Sequence, residues 1–136
     1  MPESFTIARL AESAGVHVET IRYYQRLQLI AKPARPVGGT RRYTTADAER
    51  LRFIKRAQAL GFKLGEMSTL LNLRDRRSCE ATREFALAKL EQIDAQIGEL
   101  CALRTELAVL VDACASNSDD STCPVIDGLS QRAITL

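Results

Sequence analysis

The amino-acid sequence predicts a mainly α fold: a winged helix-turn-helix domain, then a long antiparallel coiled-coil helix, then a cysteine-bearing C-terminal loop. Three observations predict it. Ala86, Leu90, Ile93, Ile97, Leu100, Leu107, Val111 and Cys114 recur in steps of four and three, interrupted only by Arg104, which is the a/d stripe of a coiled coil. Two short amphipathic segments flank Gly15, the pattern of helix, tight turn, helix. No strand-rich or repeated pattern occurs in the sequence. The divisions follow at 1–73 for the winged unit with its linking helices, 78–116 for the long helix and 117–136 for the loop and tail.

At 136 residues the chain amounts to one small domain and an extension, and an apolar content of 46% supports a core. No apolar run approaches the ~18 residues of a membrane span, so no membrane association is expected. Net charge is only +2, yet residues 1–63 carry about seven more Lys and Arg than Asp and Glu, and the remainder about five fewer. The basic half points to nucleic acid. Met1-Pro2-Glu3-Ser4 leads straight into a polar helix and does not resemble a secretory signal, so a reducing cytoplasm and free thiols are expected.

Thr6 can cap a first helix carrying Ile7, Leu10 and Ala11, which Gly15 ends. The second helix runs from His17 to Arg26. Val18, Ile21 and Tyr24 face inward, and His17, Glu19, Thr20, Arg22 and Tyr23 are left outside. The second helix of such a pair enters the major groove, which puts His17, Val18, Glu19 and Thr20 nearest base edges and Arg22 and Tyr23 at the backbone. Pro33, Pro36, Gly38 and Gly39 make a turn-rich connection into Thr40-Arg41-Arg42-Tyr43, read as a short hairpin wing. Arg41 and Arg42 are offered to phosphates and Tyr43 to packing or a backbone contact. The plainer readings are a solvated helix face and a surface loop that happens to be basic.

Thr44 with Asp47 resembles a capping box and opens a third helix holding Leu51, Ile54, Ala57 and Leu60 on one face, stopped by Gly61. Leu64, Met67, Leu70 and Leu71 mark a short fourth helix. The charged Arg74-Asp75-Arg76-Arg77 then leads into Ser78 and the long helix.

At ~1.5 Å per residue the long helix is roughly 50 Å, more than a small domain covers with its own side chains, so it needs a partner. The stripe residues Leu90, Ile93, Ile97, Leu100 and Leu107 are the expected dimer interface. Cys79 opens this helix, Cys114 closes it, and Cys123 follows a polar, turn-forming stretch that can fold it back towards Cys114. One chain cannot put Cys79 and Cys114 on one ion, because ligands must converge within ~2.3 Å of a metal. A second copy running antiparallel brings its Cys79 beside Cys114 and Cys123, with the two-fold axis near Gln96 and Ile97 and apolar layers matched. Two identical three-thiol sites result. The plainer readings are cysteines buried as small hydrophobes, or disulfides.

The stretches FTIARLAESAGVHVETIRYYQRLQLI and GTRRYTTADAERLRFIKRAQALGFKL, followed by the coiled-coil helix, resemble the MerR family of winged-helix regulators over essentially the whole chain. Cys79, Cys114 and Cys123, with Pro124 following, are similar to the cysteines of its mercury-responsive members; lead and cadmium relatives carry similar ones. Cys101 departs from that pattern. It sits ~220° around the helix from Cys114 and is read as a bystander. The resemblance implies a homodimer that stays on double-stranded promoter DNA with overspaced elements, represses without metal, and with metal twists the DNA so that RNA polymerase can start. It also implies Hg(II) as inducer, one ion per three-thiolate site shared between subunits.

The chemistry agrees with a soft ion. Soft thiolates suit soft metals, and three thiols with no nearby His or carboxylate leave zinc's tetrahedral shell one ligand short. The lone His17 lies in the reading helix. Ser78 is placed to cap the long helix with Cys79 in its first turn. Cys123-Pro124 looks like an N-cap and N1 pair, so both thiols gain from positive helix ends. The alternatives are the same fold sensing lead, cadmium or zinc, or a thiol-based redox regulator. An enzyme is not expected, since no His, Asp or Cys-x-x-Cys stands ready to activate a thiol.

Overall fold

The computed structural model describes residues 4–118 and 121–130. The start at Met1-Pro2-Glu3, and Asp119 and Asp120 of the turn-forming stretch, lie outside the described residues. Eight elements follow one another: β1 (Ser4–Phe5), α1 (Ile7–Ala14), α2 (Val18–Arg26), β2 (Tyr43–Thr44), α3 (Thr45–Ala59), α4 (Leu64–Arg76), α5 (Cys79–Ala115) and α6 (Pro124–Ser130). The chain forms two compact units, residues 1–89 and 90–136. No described helix is long and apolar enough to cross a membrane.

In the first unit each helix begins and ends where its local chemistry dictates. Thr6 accepts the Arg9 N–H at 3.3 Å and caps α1. Gly15 ends it in the left-handed region at φ 66°, a conformation that costs glycine little because it has no Cβ. Lys55 Nζ from α3 donates to the carbonyls of Ala14 and Gly15 at 3.0 and 2.9 Å, fastening the turn between α1 and α2. Thr44 and Asp47 form the expected reciprocal capping box at the start of α3. The fully buried side chains that bind α1 to α4 together include Leu10, Ile21, Leu51, Ile54, Met67 and Leu71.

Several details depart from the pattern read in the sequence. The connection between α2 and β2 does not form a hairpin of its own. Tyr43–Thr44 pairs antiparallel with Ser4–Phe5 instead. Pro33 and Pro36 have no N–H to donate to a ladder within the connection, whereas the chain before α1 does. Leu60 is exposed, because α3 ends at Ala59 and Gly61 (φ 98°) turns the chain away. Helix α4 runs on through Arg76 and buries Leu73 as well; Arg77, at φ 53°, makes the turn into α5.

Helix α5 is continuous over 37 residues, with Ser78 Oγ accepting the Ala81 N–H at 3.4 Å at its start. In the second unit its stripe residues Leu90, Ile97, Leu100 and Leu107 are each more than half exposed, while Ile93 is half-buried. Helix α6 packs on α5 through Gly128, where a Cβ would come within 2.6 Å of Leu110 Cδ2. Between the two helices Asn117 Nδ2 donates to the Thr122 carbonyl at 2.8 Å.

Candidate functional site

The first unit carries a basic groove of about 710 Å³ between the start of α1, the outer face of α2 and the connection to β2. Arg22 and Arg26 reach it from α2, and Lys32, Arg35 and Arg41 from the connection. Five cations around one concavity make a strong field for a polyanion. Arg22 donates to Glu19 Oε1 at 2.7 Å, an exposed pair that sets the guanidinium's direction more than it adds stability. The Arg26 guanidinium stacks over the Tyr23 ring, 5.6 Å from its centroid.

The residues expected at DNA divide by depth. His17, Glu19, Arg22, Tyr23 and Arg42 are exposed, Val18, Thr20 and Arg41 are half-buried, and Tyr43 is buried with only 2% exposure. Tyr43 accepts from Gln25 Nε2 at 2.8 Å, so it anchors α2 to β2 beneath the groove. Arg41 Nε donates to the Pro33 carbonyl at 3.0 Å, and Arg42 donates to Ser4 Oγ at 3.2 Å and Ser4 O at 3.1 Å. Both arginines therefore stand in directions set by the backbone. Arg26, Lys32 and Arg35 were not singled out in the sequence. Arg26 follows Arg22 by one helical turn on the same face, a usable signal, whereas Lys32 and Arg35 are brought in by a connection with no periodicity.

The cysteines fall in both units. Cys79 is exposed at the start of α5, beside an apolar hollow of about 360 Å³ whose lining includes Leu73, Thr82 and Ala86 together with Arg74, Arg77 and Arg83. In the second unit the turn from α5 into α6 brings Cys114 and Cys123 together, with their Sγ atoms 3.9 Å apart and both half-buried. Cys101 is exposed on α5. The described residues of a single chain contain no group of three or more metal-ligating side chains.

The pair has unequal proton affinities. Cys123 is drawn below an ordinary thiol, first by the Ile126 N–H and then by Cys114 and the Val125 N–H, against the effect of desolvation. Cys114 is pushed up, chiefly because the Cys123 sulfur takes its proton as a hydrogen bond. The pair thus holds one thiolate more readily than two separate cysteines. Its spacing fits a shared ion, since 3.9 Å is less than twice a thiolate–zinc length of ~2.3 Å.

Residues 5–73 match the family profile described as MerR HTH family regulatory protein, and residues 48–110 match that described as MerR, DNA binding. Over 131 residues the chain is 42% identical to the mercuric resistance operon regulatory protein of Shigella flexneri, covering 96% of this chain and 91% of that one. The crystal structure of the regulator PbrR691 from Ralstonia metallidurans CH34 in complex with lead(II) superposes with a TM-score of 0.78 at 34% identity, covering 93% of this chain and 99% of that one. That of the regulator MerR from Bacillus megaterium MB1 in complex with a mercury(II) ion gives 0.73 at 39%, covering 93% and 100%.

Proposed function

This chain belongs to the MerR family of helix-turn-helix regulators, and from that membership we propose that it is a metal-responsive transcriptional regulator of mercury-resistance genes. It acts as a homodimer on double-stranded promoter DNA, represses without metal, and activates by distorting the DNA for RNA polymerase when Hg(II) binds. The observation that carries the metal reading is the Cys114–Cys123 pair, two thiols converging at the end of a long helix whose start holds a third.

The residues work in three groups. Arg22, Arg41 and Arg42, with Tyr23, hold phosphates and fix the register on the duplex, and Tyr43 positions β2 beneath them; His17, Val18, Glu19 and Thr20 lie nearest the base edges. Leu90, Ile93, Ile97, Leu100 and Leu107 bury one another across the antiparallel dimer. Cys79 of one subunit with Cys114 and Cys123 of the other supply three thiolates. When bound, the soft ion holds those thiolates in one geometry. Each chain then fixes the ends of its neighbour's α5 against its own, and the free energy of the DNA change comes from tighter ligation in the activating arrangement.

The test uses the cross-subunit supply of ligands. A Cys79→Ser chain mixed with a Cys114→Ser chain should form a heterodimer with one intact site, and Hg(II) binding should return in the mixture while each homodimer lacks it. No recovery, with dimerisation and DNA binding intact, would refute the cross-subunit site, and undiminished Hg(II) binding by the Cys79→Ser homodimer would leave Cys114 and Cys123 alone as the site. A second reading changes only the inducer: a regulator 34% identical to this chain has been solved in complex with lead(II), which makes lead(II) the alternative ion.

A further inference from the structure

We propose that Lys89 is a positioning residue that carries the state of α5 into the DNA-binding helices, through a junction made of its hydrogen bond to Glu66 and its contact with the Phe62 ring. The inference rests on the metal-responsive reading above. Among the described residues Lys89 is the one buried charged side chain, 7% exposed. Its ammonium donates to Glu66 Oε1 at 2.7 Å and lies 5.6 Å from the centroid of the Phe62 ring. Phe62 in turn stacks on Phe85 of α5, with centroids 5.9 Å apart and rings within 7° of parallel.

The partners make this more than an ion pair. The same Glu66 oxygen accepts the Lys63 N–H at 3.0 Å and so caps the start of α4. Phe62 belongs to the turn that ends α3, its N–H donating to the Ala57 carbonyl at 3.1 Å. One lysine from α5 therefore touches the end of α3 and the start of α4 at once. From α3, Lys55 holds the turn before the reading helix, and Arg50 Nε donates to the Leu29 carbonyl just beyond it at 2.7 Å. Fixed donors and acceptors thus run from α5 to both ends of α2.

Energetics argue that the lysine is there for direction. A buried ion pair is often no more stabilising than apolar side chains of the same volume, because desolvation offsets the attraction. Leucine or methionine would fill the space beside Phe62 and Phe85 equally well. An ammonium, unlike a methyl group, holds one oxygen at one distance, so a shift of α5 must either move Glu66 or break the bond. Whether that bond holds or breaks is then an equilibrium that α5 and the DNA-binding helices can both bias, which is what coupling between sites requires.

Coupling is measured as a ratio of affinities. In the full-length protein, Hg(II) affinity is determined with and without operator DNA, and by reciprocity operator affinity shifts by the same factor with metal; ratios of roughly 5- to 150-fold are usual for such linkage. Lys89→Met is expected to bind operator and dimerise as wild type while its ratio falls to within about twofold of unity. Glu66→Gln keeps an acceptor for the Lys63 N–H, removes the charge, and should lower the ratio in the same direction. It decides the matter if Lys89→Met fails to fold. A wild-type ratio in whichever variant folds would overturn the inference, as would loss of operator binding in parallel with the ratio, which marks a merely structural role. A wild-type protein whose own ratio is unity would instead refute metal-responsive regulation, and this inference with it.

Discussion

Glu66 holds two hydrogen bonds on one oxygen, and its carboxyl lies below the ordinary range, chiefly through the Lys89 ammonium and next through the Lys63 N–H. A carboxylate depressed in the folded state contributes stability that is present above its unfolded value and is lost as pH falls through its folded value. The melting temperature should therefore drop on acidification below about pH 4.3, the ordinary Glu range. Glu66→Gln should melt lower at neutral pH and show a shallower acid-side fall; equal slopes would mean that Glu66 titrates alike in both states. At the other end of the unit, Arg22→Ala removes one cation from the groove. Operator affinity should weaken across sequences, and the slope of log affinity against log salt should fall by ~1, measured by titration at several salt concentrations. An unchanged slope would take Arg22 out of the phosphate contacts.

Helices show where a local signal is enough and where it is not. The capping box of α3, the glycine stop of α1 and the serine start of α5 are all short-range hydrogen bonds between residues within four positions, so a sequence reader finds them. The wing is different. Its strand pairs with Ser4–Phe5, Phe5 with Tyr43 and Ser4 with Thr44, a long-range choice that no local pattern marks. For α5, the exposed stripe centred near Ile97 is the element's unsatisfied surface. In the proposed antiparallel dimer, Ile97→Glu would bury a charge beside its own copy near the two-fold axis, at several kcal/mol per ion. Sedimentation at micromolar concentration should show a monomer; a persisting dimer would exclude the antiparallel register.

For the whole molecule, the inducer is set by the number and softness of the donors. A reporter strain titrated with mercury(II), lead(II), cadmium(II) and zinc(II) should respond at the lowest concentration to mercury(II), because the three thiolates of the proposed site suit the softest ion. A lower threshold for lead(II) would make the second reading the better one. The purified protein should also be more stable with mercury(II), by about 2.7 kcal/mol at one hundred times the dissociation constant, and Cys123→Ser should lose most of that gain, as read by thermal or denaturant unfolding.

The sequence alone determined the helices and the apolar stripe along α5, because each is a short-range or periodic property: caps act over three residues, and a coiled-coil face repeats every seven. It also brought out Cys114 and Cys123 as a pair, since a turn of polar residues between them is able to fold the chain back, and the two sulfurs lie 3.9 Å apart. Only the tertiary structure decided that Tyr43 lies beneath the groove, that Lys32 and Arg35 join Arg22 around it, and that Lys89 is buried against Glu66 and Phe62. A lysine at a helical position looks solvated in one dimension. Its burial depends on where Glu66 of α4, 23 residues earlier, is packed, and that is a contact no local pattern encodes.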